Sequence, residues 1–424
     1  MQTVVLAAGR GTRMRPLTDR RLKPMLPVAG RPLVAHTVEA AADAGASRVV
    51  LVIQPDDDTV SEHFGDEHAG VDLDYAVQTE QRGTADAVRA AAPHLDDAPF
   101  VVLNGDALYD HDSLAALYER APAVGAFRVD DPTQYGVLLT DEAGERVTGV
   151  VEKPADPPSD LVNTGAYALP AEAKAWLDVG ESERGELEFT DVLARACETH
   201  EVRPVAFERW LDVGRPWELL EANEWKLGEM AGRVDGEVHP DAELTGDVVV
   251  EAGATVRSGV VVEGPAYIKA GATVGPNAYV RGASYVGPDA KVGHAVEVKN
   301  SVMMADAHAG HLAYVGDSVL GRGTNLGAGT KVANLRHDGA PVKTLVKGEV
   351  VSTGRRKFGV ILGDDAKTGI NTSLNAGVKL PTEGATRPGE VVMFDPDSER
   401  ARRERNGGGE GREGAGSDGS DDRR

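Results

Sequence analysis

The chain has 424 residues and a mass of 44.6 kDa, which exceeds one ordinary domain and predicts two or more. Its formal net charge is −23, from 68 acidic and 45 basic side chains, and this argues against nucleic acid or an anionic membrane as a partner, because both require a basic surface. A single cysteine, Cys197, excludes a disulfide framework and a cysteine-built zinc site.

The first 230 residues alternate short apolar strands with helices. Runs such as VVLA, RVVLVIQ and FVVLN are typical of buried strands, and apolar residues recur at helical spacing between them. This alternation predicts an α/β domain, Rossmann-like with a mainly parallel mixed sheet, whose ligands bind at the carboxyl ends of the strands. We predict strands at 4–7, 48–54 and 100–104, helices at 32–44, 83–95 and 216–229, and a hairpin at 135–152 with its turn at 141–144.

The second half has a period of six residues. Every sixth residue from Val238 to Met304 is aliphatic, and a small residue such as Ala254 stands four positions after most of them. No helix has this period, which is the hexapeptide pattern of a left-handed parallel β-helix with the aliphatic residues in its core. The twelve aliphatic positions are Val238, Leu244, Val250, Val256, Val262, Ile268, Val274, Val280, Val286, Val292, Val298 and Met304.

Two interruptions break this period. After the first, the aliphatic residues stand two positions out of register with Met304, and the shift brackets residues 309–314. After the second, at 335–348, the same phase resumes. Insertions in a solenoid form loops, often on the binding face. The later aliphatic positions are Leu320, Leu326, Val332, Val350, Leu362, Leu374 and Leu380.

These patterns predict an α/β domain at 1–230, a β-helix domain at 231–394 and a disordered Gly/Asp/Arg-rich tail at 395–424. No apolar run approaches the length of a membrane span, and the chain opens with MQTVVLAAG rather than a signal sequence. We therefore expect a cytoplasmic protein without membrane partners. Its acid excess and few lysines are typical of halophilic proteins.

A glycine-rich segment, LAAGRGTRM, follows the first strand directly. Glycines let backbone amides approach phosphates, and Arg13 and Lys23 would neutralise the phosphate charge. The whole string, with Lys23-Pro24 after it, resembles the signature of sugar-1-phosphate nucleotidylyltransferases, and the resemblance continues through most of the chain. It implies that Arg13 and Lys23 are catalytic. The nucleotide contacts that it implies in this segment are Leu6, Ala7, Ala8, Gly9, Gly11 and Thr12.

Later motifs match the same family in order. The segment QTEQRGT lies where the family reads the nucleobase and implies UTP or dTTP, through Gln78, Gln81, Gly83 and Thr84. Asp106 in NGD and Asp212 in WLDVG resemble its Mg²⁺ ligands. The family's sugar-phosphate segments match at Gly136, Glu152, Lys153, Asn163 and Thr164, with a further pocket stretch at Glu188, Thr190 and Asp191.

The residue types suit nucleotidyl transfer. An oxygen of the sugar phosphate attacks the α-phosphorus and pyrophosphate leaves, which requires positioning and charge neutralisation more than acid–base catalysis. Two carboxylates at strand ends can hold Mg²⁺ across the reacting phosphates. Taken alone, Asp106 is typical of a turn and Gln78 of an exposed strand end. Their occurrence together, in order and each at the end of a strand, favours the site.

The segment HLAYVGD, at the first register shift, resembles the catalytic segment of a second activity. It matches the acetyltransferase domain of the bifunctional glucosamine-1-phosphate acetyltransferase / N-acetylglucosamine-1-phosphate uridylyltransferase family, archaeal members included. The resemblance implies that His311 is the general base that deprotonates the sugar amine as it attacks acetyl-CoA, which suits an imidazole. The implied contacts are Arg281, Lys299, Tyr314, Asn325, Asn334 and Lys343 for the sugar phosphate and Ala328 for acetyl-CoA.

Two positions depart from the bacterial pattern of this family. Leu335 stands where that pattern has a tyrosine after the asparagine, and Ile370 stands where it has a serine after the glycine. These departures bear on where acetyl-CoA lies.

Three functions remain open on the sequence. The first is a bifunctional enzyme that acetylates glucosamine 1-phosphate, or galactosamine 1-phosphate, and transfers UMP from UTP to the product. The second is a uridylyl- or thymidylyltransferase, acting for instance on glucose 1-phosphate, whose β-helix only assembles a homotrimer. The third is a regulatory subunit of the kind found in translation initiation-factor complexes, which the intact Lys23, Asp106 and Asp212 argue against.

Overall fold

A computed structural model describes residues 1–55, 58–182 and 184–396. Its contacts divide the chain into two compact units, Met1–Ala231 and a second unit that begins at Gly232. The tail expected at 395–424 lies outside the described residues except for its first two positions. Among the described residues, no helix is both long and apolar enough to cross a membrane.

The first unit is α/β. Its described strands are β1 (Gln2–Leu6), β2 (Pro27–Val28), β3 (Arg31–Pro32), β4 (Arg48–Ile53), β5 (Glu67–His68), β6 (Val71–Val77), β7 (Phe100–Asn104), β8 (Ala107–Tyr109), β9 (Ala123–Arg128), β10 (Gly136–Thr140), β11 (Val147–Glu152), β12 (Leu161–Leu169), β13 (Arg203–Ala206) and β14 (Trp210–Asp212). Its described α-helices are α1 (Leu33–Asp43), α2 (Thr59–Phe64), α3 (Thr84–Ala91), α4 (His111–Tyr118), α5 (Phe189–Thr199) and α6 (Pro216–Gly228). Short 3₁₀ turns occupy Thr12–Met14, Lys23–Met25, Ala92–His94, Pro132–Gln134 and Ala171–Trp176.

The main sheet has the strand order β11-β10-β12-β7-β1-β4-β6-β5. Strands β7, β1, β4 and β6 run parallel, and β12 joins β7 antiparallel, so the sheet is mixed and mainly parallel at its centre, as the sequence predicts. Val4 and Val5 on β1 are fully buried although their side chains point in opposite directions, which shows that helices cover both faces of the sheet. The predicted hairpin is confirmed, with β10 and β11 antiparallel.

The sheet topology sets where ligands can bind. The last residue of β1, Leu6, pairs with Asn104 of β7 and with Val52 of β4. The segments that follow these strands therefore leave the sheet along one edge, at its parallel centre. The glycine-rich segment after β1 and the turn that holds Asp106 after β7 both lie at this edge.

The second unit is a parallel β-helix of three sheets. One sheet holds β15 (Arg233–Val234), β18 (Val248–Val250), β21 (Ala266–Ile268), β24 (Ser284–Val286), β27 (Val302–Met303), β30 (Val319–Leu320), β35 (Ile361–Leu362) and β38 (Lys379–Leu380). The next holds β16 (Glu237–Val238), β19 (Thr255–Val256), β22 (Thr273–Val274), β25 (Lys291–His294), β28 (His308–His311), β31 (Asn325–Leu326) and β36 (Lys367–Thr368). The third holds β17 (Glu243–Thr245), β20 (Val261–Glu263), β23 (Tyr279–Arg281), β26 (Glu297–Lys299), β29 (Tyr314–Gly316), β32 (Lys331–Val332), β37 (Ser373–Leu374) and β39 (Val391–Val392).

The aliphatic residues of the six-residue period form the core of these coils. Val250 through Val298 of that series are buried in one continuous cluster, and small residues such as Ala254 and Ala272 are buried with them. From Val250 to Val280, each core residue lies in register with the residue eighteen positions later, as Val262 does with Val280. The hexapeptide prediction is confirmed for this stretch.

The register shift was placed wrongly at 309–314. The core position is Met303 rather than Met304, since Met303 pairs with Val286 and joins the core cluster. A second one-residue deletion separates Val315 from Leu320, the next core residue. Two consecutive coils are thus one residue short, both at the corner between the third sheet and the first.

The expected core position at Val350 is also wrong. A hairpin of β33 (Lys343–Val346) and β34 (Glu349–Ser352) projects from the solenoid within the second interruption. Val350 lies on this hairpin with 69% of its surface exposed, and the coil resumes only at β35.

Candidate active sites

A cavity of about 260 Å³ lies at the carboxyl ends of β1 and β7. It brings together most of the residues predicted to bind the nucleotide. Gln81, the more exposed of its two glutamines, donates from Nε2 to the carbonyl oxygen of Ala8, 2.7 Å away. The lining residues are Leu6, Ala7, Ala8, Gly9, Lys23, Pro24, Gln78, Gln81, Gly83, Thr84, Ala87, Asn104, Asp106 and Glu186.

Gly11 and Thr12 do not line this cavity. Gly11 has a φ of +60°, and a Cβ there would lie 2.7 Å from the Cβ of Lys23, so its role is to let the Lys23 side chain pass. Thr12 begins the 3₁₀ turn that carries Arg13. Neither residue is therefore part of the lining of this cavity.

A second cavity of about 240 Å³ adjoins the first and shares Leu6, Thr84, Asn104, Asp106 and Glu186 with it. It brings together four of the five residues predicted to hold the sugar phosphate. The remaining one, Thr164, is fully buried and does not line it. Further lining residues include Arg13, Tyr135, Gly136, Glu152, Lys153, Asn163, Arg184, Glu188, Thr190 and Asp212.

Arg184 is a lining residue that the sequence reasoning missed. Its guanidinium lies 2.6 Å from Glu188 and 3.3 Å from Glu152, so it links two of the predicted pocket segments. The Glu152 carboxylate also lies 3.4 Å from the ammonium group of Lys153. Arg184 and Lys153, each paired with a carboxylate here, are the cations that these segments offer to a small anion such as a sugar phosphate.

Asp106 and Asp212 meet where the two cavities join. Strands β8 and β14 pair antiparallel, Asp212 is in register with Ala107, and the amide of Val213 donates to the carbonyl oxygen of Asp106. The ammonium group of Lys23, itself buried, lies 2.5 Å from Asp106 Oδ2.

The local charges favour a bound cation. Desolvation raises the pKa of Asp212, and the charge of Asp106 raises it further, against Lys23 and Arg13. Burial and the charge of Asp212 together raise the pKa of Glu218 to about 8. The raised pKa values show that burial and mutual repulsion of these carboxylates outweigh the nearby cations. Such oxygen ligands suit Mg²⁺, which binds through one or two carboxylates together with substrate phosphates. The donor set therefore fits this metal.

In the β-helix, four of the predicted sugar-phosphate residues lie along the third sheet around a buried carboxylate, Asp317. Lys299 Nζ lies 2.7 Å from Asp317 Oδ2, and Asn334 Nδ2 donates to the same oxygen at 2.5 Å and to the hydroxyl of Tyr314 at 3.1 Å. Arg281 is in register with Lys299 on the adjacent strand, where Glu297 binds its guanidinium. The sequence reasoning missed Asp317 as a member of the site.

The other predicted residues of this site lie elsewhere on the same unit. His311, the last residue of β28, is exposed, and its carbonyl oxygen accepts from the amide of Gly329 in the next coil, the residue after Ala328. Asn325 is exposed on β31 of the second sheet. Lys343, on the projecting hairpin, lines a separate cavity of about 660 Å³ together with Arg336 and His337. Within one chain, therefore, the eight predicted residues do not form one pocket. Four lie in the cluster around Asp317, three lie on or next to the second sheet, and Lys343 lies on the projecting hairpin.

Comparisons with known proteins give a family match for each half of the chain. Residues 2–227 match the nucleotidyl transferase family, and residues 262–387 match the family described as the GMPPB C-terminal domain. The chain is 35% identical over 403 residues to a bifunctional sugar-1-phosphate nucleotidylyltransferase/acetyltransferase of Sulfurisphaera tokodaii, covering 93% of this chain and 98% of the relative. It is 37% identical over 382 residues to the bifunctional protein GlmU of Methanocaldococcus jannaschii, with 90% and 92% covered.

A third relative matches about half of this chain. The UTP–glucose-1-phosphate uridylyltransferase AglF of Haloferax volcanii is 37% identical over 236 residues, which cover 53% of this chain and 96% of the relative.

Proposed function

The chain belongs to the nucleotidyl transferase family and, over nearly its full length, to the bifunctional sugar-1-phosphate nucleotidylyltransferase/acetyltransferases; from this we propose that it catalyses two steps of UDP-N-acetylglucosamine synthesis. The β-helix acetylates glucosamine 1-phosphate with acetyl-CoA. The α/β domain then transfers UMP from UTP, or dTMP from dTTP, to the resulting sugar 1-phosphate and releases pyrophosphate.

The observation that carries the first activity is the junction of the two cavities at Asp106. One cavity is lined by the glycine-rich segment and Gln78, and the other by the cations Arg13, Lys153 and Arg184. A nucleotide in the first and a sugar phosphate in the second would meet beside the Asp106 carboxylate. This supports in-line attack of a sugar-phosphate oxygen on the α-phosphorus, because the two substrates approach from adjoining pockets.

The roles of the chain's own residues follow from their charges. Lys23, placed against Asp106, and Arg13 neutralise the charge that develops on the α-phosphate and the leaving pyrophosphate. Lys153 and Arg184 bind and orient the attacking phosphate. Mg²⁺ held by Asp106 and Asp212 would supply further charge neutralisation across the reacting phosphates. No side chain is required to form a covalent intermediate.

The second activity rests on His311 and on the cluster around Asp317. The cluster presents Lys299 and Arg281 as cations for a phosphate and Asn334 and Tyr314 as polar groups for a sugar. His311 accepts a proton from the sugar amine as the nitrogen attacks the thioester carbonyl, and the CoA thiolate leaves. Its exposed position at a coil corner keeps the imidazole accessible to both substrates.

A homotrimer is part of this proposal. Leu312 and Ile370 are each 55% exposed at the corner next to His311, two coils apart, with the coil that carries Ala328 between them. A neighbouring copy packed on this corner would cover both residues, and it could bring a hairpin lysine such as Lys343 toward the cluster. Sedimentation should give about three times 44.6 kDa at working salt. A monomer would contradict the acetyltransferase site drawn here.

The alternative is a nucleotidylyltransferase whose β-helix serves only for assembly. Asp106→Ala separates the two activities. In the bifunctional enzyme this variant loses pyrophosphate release and retains release of free CoA thiol. If both activities disappear in a folded variant, the two-site proposal is wrong. A panel of UTP, dTTP, GTP and CTP with glucosamine, N-acetylglucosamine and glucose 1-phosphates assigns the substrates.

A further inference from the structure

The side-chain amide of Gln78 is held by two hydrogen-bond acceptors. Its Nε2 donates to the carbonyl oxygen of Gly83 at 3.0 Å and to Asp86 Oδ2, also at 3.0 Å. Gln78 is 5% exposed and Asp86 is 9% exposed, so both contacts are shielded from water. Gln78 lines the nucleotide cavity, whereas Asp86 lies behind it on the first turn of α3.

These contacts fix which end of the amide faces the cavity. A carbonyl oxygen and a carboxylate can only accept, so the NH₂ group of Gln78 must point toward them and both of its hydrogens are engaged. The Oε1 atom is then the end available to a ligand. Among the described residues it accepts no hydrogen bond, and it is not one of their buried polar atoms that lack a partner, so it retains solvent access. The cavity therefore presents Gln78 as an acceptor.

In a bound pyrimidine base, this acceptor would face the ring atom N3, at the middle of the hydrogen-bonding edge of the base. Uracil and thymine carry an N3–H donor there, which the Gln78 oxygen can accept. Cytosine carries a lone pair at N3, and two acceptors facing each other in a shielded pocket are unfavourable. If the amide could turn over, its NH₂ group would serve cytosine instead.

We propose that Asp86 is a positioning residue that makes this site selective for uracil or thymine nucleotides over cytidine nucleotides, by holding the Gln78 amide in one orientation. The inference rests on the proposed nucleotidyl transfer and deepens it. Asp86 acts through Gln78 and not by touching the base, since it does not line the cavity. Arg89, one turn further along the helix, pairs with the other oxygen of Asp86 and balances its charge.

The test measures pyrophosphate release by the full-length enzyme, with Mg²⁺ and a sugar 1-phosphate present. It compares the kcat/KM for UTP with that for CTP. Asp86→Ala should lower the kcat/KM ratio of UTP to CTP by about tenfold or more, because the Gln78 amide is then free to turn. Asp86→Asn keeps a carbonyl acceptor for Gln78 and should retain most of the selectivity. Arg89→Ala breaks the ion pair but not the Gln78 contact, and it should leave the ratio unchanged.

A double-mutant cycle tests whether Asp86 acts through Gln78. In a Gln78→Leu background, Asp86→Ala should change the UTP-to-CTP ratio by less than about twofold. An unchanged ratio in folded Asp86→Ala, or an equal loss with both nucleotides, would overturn the proposal, since a purely structural role predicts either. If Asp86→Ala does not fold, Asp86→Ser in the same comparison decides. Wild-type enzyme that releases no pyrophosphate from any nucleotide would instead overturn the proposed function.

Discussion

Lys23 and Asp106 are 83 positions apart in the chain, yet the ammonium group of one lies 2.5 Å from a carboxylate oxygen of the other. Lys23 is 5% exposed, and its stem passes Gly11, where any side chain would collide with it. The pair joins the segment after β1 to the turn after β7. It lies where the nucleotide and sugar-phosphate cavities meet.

Replacing Lys23 with methionine should reduce pyrophosphate release by about a hundredfold or more. Methionine keeps the buried stem but removes the charge that offsets the phosphates and Asp106, a loss of several kcal/mol of transition-state stabilisation. Lys153→Met, in the sugar-phosphate cavity, should act mainly on the KM for the sugar phosphate. Equal effects of the two substitutions on KM alone would contradict the assigned roles.

Gly83→Ala should destabilise the α/β domain and abolish nucleotide use. Gly83 has a φ of +131°, and a Cβ there would lie 2.3 Å from the carbonyl oxygen of Leu187, so the backbone of the base-binding loop must move. We expect a loss of roughly 2 kcal/mol or more in unfolding free energy. The matched control is Gly180→Ala, which has open space around it and should be neutral. Urea unfolding followed by tryptophan fluorescence measures both.

Asp317→Asn should weaken binding of the amino-sugar phosphate while leaving pyrophosphate release intact. Asp317 is 2% exposed and holds Lys299, Asn300 and Asn334, so its charge sets the position of Lys299, which we propose binds the phosphate. Asparagine tolerates the local φ of +50°, so the coil should still form. We expect at least a tenfold rise in the KM for glucosamine 1-phosphate in the thiol-release assay. Asp306→Asn, at a half-buried corner with a similar φ of +57°, is the control and should have no effect on this KM.

Stability of the α/β domain should fall as pH drops below about 6.5, partly because of His36. Burial lowers the pKa of this histidine to about 3, where Nε2–H donates to the carbonyl oxygen of Val28 and Arg31 lies beside Nδ1. Its folded pKa is below its unfolded value, so its contribution is fully present above pH 6.5 and is lost as pH falls toward 3.

The size of this dependence is measurable because all four tryptophans lie before residue 226, so their fluorescence reports the α/β domain. His36→Gln, which can still donate to Val28, should flatten the pH dependence of the unfolding free energy between pH 6 and 4. The difference in slope from wild type should approach about 1.4 kcal/mol per pH unit. Identical slopes would show that His36 is not the titrating group.

The sequence predicted the architecture well where a repeating pattern carried it. Period-six aliphatic residues located the coils, because a solenoid core admits little else. The deletion at Met303 was not predictable, since Met304 beside it is equally apolar. Strand β12 was also missed, because NTG interrupts its apolar run at Gly165, a residue with a φ of +73°.

Candidate site residues could be predicted where they belong to one continuous sequence motif. The roles of Asp86, Arg184 and Asp317 were not predicted, because these roles depend on partners that only folding brings into contact with them. Asp317 contacts Lys299 eighteen positions away, one coil below, a spacing that carries no signal until the 17-residue coil is known. Lys23 was identified by resemblance, but its contact with Asp106 required the sheet order.

The central claim is that one chain holds two independent active sites, and thiol release tests it most directly. Purified protein given acetyl-CoA and glucosamine 1-phosphate should release free CoA, His311→Ala should abolish that release, and the same variant should still form pyrophosphate from UTP and N-acetylglucosamine 1-phosphate at the wild-type rate. Wild-type protein that forms pyrophosphate but releases no CoA with any amino-sugar phosphate would contradict the claim.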